Sequence, residues 1–372
     1  MILYVCRARH RYTIDRFLPT LPPESRGVLD VLSYEQIFST LSLPPAHLVF
    51  TDFDRLSQYE LEIAATAAEQ MRAANPDVRI LNHPARFLQR HELLERLWHE
   101  GINPFRSARL ELPLPDLAFP VFLRREGDAQ GAETGLLHDR AALDLAVQDM
   151  MARGIPLRGR LAVEFCNRAD ADGMYRKYGA FRVGDRILPQ HLQISEDWVV
   201  KSNSSHRTER HIAEEMDYIL TNPHEDVLLR IMDLASADFG RIDYTVLDGK
   251  VIVFEINSNP TFPGIDKDDP RQERRRIVRD RLLAAFQRID TPLAEGKPVT
   301  LGLPYPRSHD LPAPVKAAPP VALAIAPTAP VAETPVPPKS GQPARQATPS
   351  VSDSPTFLRR IIRNGRSLFR GR

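Results

Sequence analysis

Apolar and polar positions along the first part of the chain fall into two alternating kinds of run. Short apolar stretches at residues 1–6, 47–52 and 78–81 predict buried strands. Between them, residues 33–41 predict a short helix, and 59–74 a longer one that Asn75-Pro76 ends. Strands alternating with helices imply a small open parallel α/β unit over residues 1–84. Beyond it, Leu93, Leu94, Leu97 and Trp98 have helical spacing, with Gly101 as the stop and Pro104 just past it. Residues 119–124 and 160–166 read as strands flanking a helix over 139–153. A strand–turn–strand pattern then turns at Gly184-Asp185, and helices are expected over 209–220 and 223–236. Residues 242–247 and 251–256 form a strand pair joined at Asp248-Gly249, a strong hairpin signal. A last, arginine-rich helix over 273–289 turns Ile277, Leu282, Leu283 and Phe286 inward and displays the rest.

The chemistry gathers in that hairpin, RIDYTVLDGKVIVFEINSNP. Glu255 and Asn257 are two apart and share one face of an extended chain. Hard oxygen ligands converging there suit Mg²⁺ that also holds substrate phosphates. An isolated acid would be a polar residue keeping a sheet edge soluble, but here Asp243 lies on the partner strand as well. A two-residue turn at Asp248-Gly249 pairs Asp243 with Phe254 and leaves Asp243 and Glu255 on opposite faces. One ion shared by both carboxylates therefore requires a bulge or an odd loop in this hairpin.

The stretch resembles the metal-binding end of the ATP-grasp ligases, the superfamily of D-alanine–D-alanine ligase, glutathione synthetase and the glutamate ligases that modify ribosomal proteins. The resemblance covers about residues 80–290. It implies that Asp243, Glu255 and Asn257 hold Mg²⁺, with Mn²⁺ as the alternative ion, and that ATP is the nucleotide. Upstream, Asn82-x-Pro84 precedes a helix that relatives open with a phosphate-binding lysine, and Arg90 holds the matching place, with His91 beside it. A second family lysine, toward the α-phosphate and adenine, is replaced by Arg124. Gly127, Gly131 and Gly135 belong to the loop that covers the phosphates. Glu164, Phe165 and Cys166 match the hinge strand whose backbone and Glu-like side chain contact adenine and ribose. Taken alone, that segment has an ordinary core strand with one outward acid as its lesser alternative. Lys201 and Asn203 match the segment that closes over the γ-phosphate. Relatives carry an arginine on the strand after the hinge to hold the acceptor or acyl phosphate. The register gives Gly179 there, with Arg176, Lys177 and Arg182 nearby and the choice among them open. Arginine forks bind phosphate well but are not point charges, so the two replacements spare ATP binding more readily than catalytic efficiency.

The implied fold is α/β: a preceding domain at 1–84, then an ATP-grasp domain at 85–290 built of two α+β lobes. The implied activity is an ATP-dependent carboxylate–amine ligase working through an acyl phosphate and releasing ADP and phosphate. Its partners would be small-molecule or peptide carboxylates and amines, with residues 1–84 and 174–201 shaping the acceptor pocket. An ATP-dependent kinase for a small substrate and a nucleotide-binding scaffold without turnover remain the alternatives.

Composition narrows this picture. A chain of 372 residues is long enough for two or three packed units. A net charge of +1 argues against a general polyanion binder, so no nucleic-acid partner is expected. Cys6 and Cys166 have no metal or redox spacing and read as buried thiols of a reducing compartment. The apolar opening is too short for a signal peptide and no run reaches membrane-spanning length, so a cytoplasmic protein is expected. His206, His211 and His224 lack metal-ligand spacing and read as surface residues. No Ser/His/Asp or Cys/His nucleophile pattern competes with the ligase chemistry. Residues 291–356 read as a Pro/Ala-rich linker, since 311–356 hold twelve of the 33 prolines and no helical or strand period. Residues 357–372 interleave arginines with bulky apolar residues and contain no acid. Such a tail suits an anionic membrane surface or an acidic partner, and would be disordered until bound.

Overall fold

Four parallel strands open the chain. In the computed structural model, residues 1–40, 42–127, 131–201, 208–264, 272–294 and 296–302 are described. Strands β1 (Ile2–Cys6), β2 (Leu29–Ser33), β3 (Ser42–Leu43), β4 (His47–Phe50) and β5 (Ile80–Leu81) lie in this part, and all but β3 form one sheet ordered β2-β1-β4-β5. The short helix α1 (Tyr12–Asp15) follows β1, and α2 (Tyr34–Ser39) and α3 (Gln58–Ala74) start at reciprocal capping boxes, Ser33 with Gln36 and Ser57 with Glu60. Strand β2 is absent from the expected elements because only Leu29 and Val31 in it are buried, too short an alternation to stand out.

The first lobe contains α4 (Arg90–His99), β6 (Ser107–Arg109), β7 (Val121–Arg125), α5 (Arg140–Ala152) and β8 (Arg160–Glu164), with an antiparallel sheet ordered β6-β8-β7. The second contains β9 (Tyr175–Val183), β10 (Arg186–Ser195), α6 (Glu209–Thr221), α7 (Glu225–Leu234), β11 (Phe239–Leu247), β12 (Lys250–Asn257) and α8 (Gln272–Ile289). Its antiparallel sheet runs β10-β9-β11-β12. A parallel sheet followed by two antiparallel ones is the α/β architecture expected.

The opening sheet and the second lobe share one core. Tyr4 of β1 and Phe17 pack with Phe181, Phe239 and Phe286 around the fully buried ring of Phe262. Asn82 ties the same two parts together. Its amide nitrogen donates to the carbonyls of Phe50 (3.0 Å) and Phe239 (2.7 Å), and its oxygen accepts from the Phe239 N–H (2.9 Å). The φ of +58° at Asn82 is one that asparagine tolerates better than most residues.

Three expectations need correction. Residues 296–302 do not begin a linker: β13 (Val299–Thr300) pairs with β3, Leu301 is buried, and the Gly302 N–H donates to Gln70. Helix α8 does not display all its arginines, because Arg274 is buried and paired with Glu215, while Ile277 is only partly buried. His211 is buried, and the half-buried His224 hydrogen-bonds the Tyr244 hydroxyl at 2.9 Å, so neither is a surface residue. His206, Asn203, the remaining linker and the tail at 357–372 lie outside the described residues, and among those described no helix is long and apolar enough to cross a membrane.

Candidate active site

Strands β11 and β12 leave their turn in regular pairing, from Leu247 with Lys250 to Tyr244 with Val253. Asp248 and Gly249 both have positive φ, 49° and 75°, as a tight hairpin turn demands. Then β12 slips by one residue. Asp243 pairs with Glu255, and Phe254 is the extra residue. The hairpin thus contains the irregularity that a shared ion requires, and it places the two carboxylates on one face. Register extends this relation across the sheet: Gly179 of β9 faces Asp243, and His191 of β10 faces Gly179. His191, Gly179, Asp243 and Glu255 form one straight row over four strands.

Cations crowd that row. Glu255 Oε2 accepts from Arg90 and, at 3.1 Å, from Arg124. Asp243 Oδ1 accepts from Arg241 Nε at 2.7 Å, and its Oδ2 lies 3.4 Å from Lys177 Nζ. Asn257 Nδ2 reaches Glu255 Oε1 at 3.4 Å. Burial by itself would push both carboxyls up. The charges of Arg90, Arg124, Lys177 and Arg241 outweigh it for Glu255, which is held well below its ordinary value. For Asp243, Arg241 and Lys177 likewise outweigh burial and the opposing charge of Glu255, with His191 adding to the downward pull. Four cations face two carboxylates, and the surplus positive charge suits a polyphosphate.

Strand phase separates the three cations near Gly179. Lys177 shares the face of Gly179 and points at Asp243. Arg176 turns to the other face and binds Asp170, Asp172 and Glu214, while Arg182 binds Asp233. Sequence reasoning also passed over Arg241, whose spacing of two from Asp243 was the available signal, and Trp198.

A cleft of about 970 Å³, its open mouth included, runs between the two antiparallel sheets. One end is apolar, with Leu94, Phe105, Val163 and Phe254, and with Phe122 and Phe165 packed on Trp198 at ring distances of 5.1 and 5.3 Å. The other end holds Arg124, Lys177, Lys201, Asp243 and Glu255. Phe165 and Cys166 line the apolar end. Glu164 lines the cleft too, and its carboxylate accepts from the backbone N–H groups of Arg106 (3.0 Å) and Ala118 (2.8 Å). Burial raises the Cys166 thiol to about 12; Cys6 is fully buried, whereas Cys166 is half-buried at the cleft. Lys201 crosses over the glycine loop, its Cε 3.3 Å from where a Cβ would stand on Gly131. Gly127 touches the opening unit, since a Cβ there would lie 2.8 Å from the Asp54 carbonyl oxygen.

A second pocket of about 810 Å³ is lined by Arg90 and Arg241, whose partners Glu255 and Asp243 line the first. Tyr12, Thr13, Asp52 and Asp54 of the opening unit form one wall, and Asn257 to Thr261 the other. Of the 174–201 segment expected there, Gln190 reaches its edge, donating to the Thr261 carbonyl at 3.2 Å, whereas Lys177 and Trp198 face the first cleft.

Among the described residues no three His, Cys, Asp or Glu side chains gather as a metal centre. Asp243, Glu255 and Asn257 instead offer two carboxylates and an amide. That set fits Mg²⁺, which keeps waters and takes only one or two carboxylates when substrate phosphates complete its shell. It fits a soft metal poorly.

No family model and no curated protein matches the chain. Solved structures do. A D-alanine–D-alanine ligase from Bacillus anthracis is 12% identical with a TM-score of 0.43, over 78% of this chain and 97% of that one. An L-amino acid ligase from Bacillus licheniformis is 11% identical with a TM-score of 0.41, over 77% and 74%. A RimK domain protein of ATP-grasp type from Sphaerobacter thermophilus is 14% identical with a TM-score of 0.39, over 77% and 98%.

Proposed function

We propose that the chain is an ATP-grasp enzyme, an ATP-dependent carboxylate–amine ligase. The observation that carries this reading is the row containing Asp243 and Glu255, fronted by Arg90, Arg124, Lys177 and Arg241 where two pockets meet. A cleft apolar at one end and cationic at the other matches a nucleotide with its base inward and its phosphates at the row. The second pocket then receives the acceptor at the far side of the same cations.

In this reading the terminal phosphoryl group of ATP passes to an acceptor carboxylate oxygen, giving an acyl phosphate and ADP. An amine then attacks the acyl carbon: a C–N bond forms, the C–O bond to phosphate breaks, and the amine proton is released. Such transfer depends mostly on positioning and charge neutralisation. Mg²⁺ on Asp243, Glu255 and Asn257 supplies charge neutralisation at the phosphates when bound. Arg124 and Arg90 exchange the Glu255 carboxylate for phosphate oxygens, and Lys201 covers the phosphate end of the cleft. Lys177 and Arg241 stand where charge builds up on the transferred group. The walls around Trp198 and Phe254 exclude water from the base.

ADP release measured with ATP, Mg²⁺ and a panel of amino acids and short peptides, with and without added amine, tests the reading. Release that requires both a carboxylate and an amine is the expected result. Release without amine would indicate a kinase, and no release under any combination would indicate a scaffold.

A further inference from the structure

Gly179 occupies the middle of the row between His191 and Asp243, and its missing side chain is filled from the neighbouring strand. A Cβ built on Gly179 would lie 2.5 Å from His191 Nε2 and 2.6 Å from Cε1. The imidazole therefore lies across the glycine and extends along the row toward Asp243. Two features hold this arrangement. The register of β10 shifts between Pro189 and His191, a bulge that sets the direction of the ring. Behind the sheet, the Gly179 carbonyl accepts from the Tyr218 hydroxyl at 3.3 Å, and Tyr178 stacks on Tyr244 with ring centroids 5.3 Å apart. The backbone at Gly179 is thus fixed from behind, so any side chain added there must displace the ring.

We propose that His191 is a positioning residue for Asp243 and that Gly179 is the notch through which it acts. The proposal rests on the reading of Asp243 and Glu255 as metal ligands. Two flanks of Asp243 are already taken, by Arg241 from its own strand and by Lys177 from β9. The ring of His191 arrives from the remaining direction along the row and limits the rotamers open to the carboxylate. Groups that orient a metal-binding carboxylate in this way are commonly worth 10- to 100-fold in metal affinity.

The test is Mn²⁺ binding to the full chain saturated with a non-hydrolysable ATP analogue, followed by calorimetry, with thermal unfolding measured in parallel. His191→Ala is expected to weaken Mn²⁺ binding about tenfold without a matching loss of thermal stability, and His191→Gln to restore part of it. Gly179→Ala should weaken binding to the same degree in the wild-type background and have no further effect on top of His191→Ala, because the ring it would displace is already gone. Glu255→Gln serves as the control. If Glu255→Gln abolishes Mn²⁺ binding while His191→Ala leaves it unchanged, or if the Gly179 and His191 effects simply add, the notch is wrong and the ligase reading stands. If Glu255→Gln also leaves binding unchanged, the metal reading fails and the inference fails with it.

Discussion

Phe254 and Glu255 are neighbours in sequence, yet both line the same cleft between the sheets. An unbroken strand would send them to opposite faces. The bulge opposite Asp243 removes that constraint, so one stretch of β12 supplies an apolar wall and, in the next residue, a carboxylate. In the proposed reading, covalent geometry rather than the packing of separate elements would then fix the distance between base and metal.

Glu255→Gln and Asp243→Asn are each expected to abolish Mg²⁺-dependent ADP formation while leaving the circular dichroism spectrum unchanged. Losing one ligand charge at such a site removes several kcal/mol of transition-state stabilisation, on the order of the Lewis-acid contribution itself. Near-normal turnover in both variants would rule out the metal assignment.

Arg124→Ala is expected to weaken binding of a non-hydrolysable ATP analogue by about 1–3 kcal/mol, the range for a charge-assisted hydrogen bond. Arg124 shares Glu255 with Arg90, so the two variants should combine less than additively. Isothermal titration decides it; unchanged affinity in Arg124→Ala would mean that its partner in the working enzyme remains Glu255.

The depressed Glu255 carboxyl carries a sign that can be checked. A group held below its ordinary value favours the folded state while ionised, so its contribution is complete above about pH 4.3 and is lost as pH falls toward the folded value. The stability gap between the wild type and Glu255→Gln should therefore be constant from neutral pH down to roughly pH 5 and close below about pH 4. Thermal melts across that range measure it. A gap that persists undiminished at pH 3 would mean that the arginines do not hold Glu255 in its ionised form.

The hairpin is legible in the sequence because Asp248-Gly249 marks its turn and acids interrupt an otherwise apolar run. Its bulge is legible only through chemistry: no residue pattern announces Phe254 as extra, but two ligands of one ion cannot lie on opposite faces. Lys177 was indistinguishable from Arg176 and Arg182 because the phase of a strand is set by its neighbours, here β11 and β10. The same holds for His191, which reaches the row only over a glycine on another strand. The partners of Glu164 are hidden for a related reason, since the amides it accepts from belong to Arg106 and Ala118, far away in sequence. Local pattern gives the elements and the acids; pairing decides which side chains meet.

Asn82 shows how the opening unit is kept in register with the row. Its side chain joins the end of β4 to the start of β11 through three hydrogen bonds, four residues before Asp243, and it is fully buried. Asn82→Ala would leave the Phe239 N–H and two carbonyls without these partners, in a place water does not reach. A buried donor left unsatisfied costs about 1–3 kcal/mol, and alanine at a positive φ adds about 1–2 kcal/mol. Urea unfolding should therefore show Asn82→Ala destabilised by roughly 2–5 kcal/mol with an unchanged dependence on urea concentration. Asn82→Asp, which keeps the acceptor for Phe239 N–H but loses the donor to Phe50 and Phe239, should be at least as damaging, because it places a carboxylate against two carbonyl oxygens. If instead the aspartate variant is as stable as the wild type, the donor half of the clamp contributes nothing and the two parts are held by the Phe262 core alone.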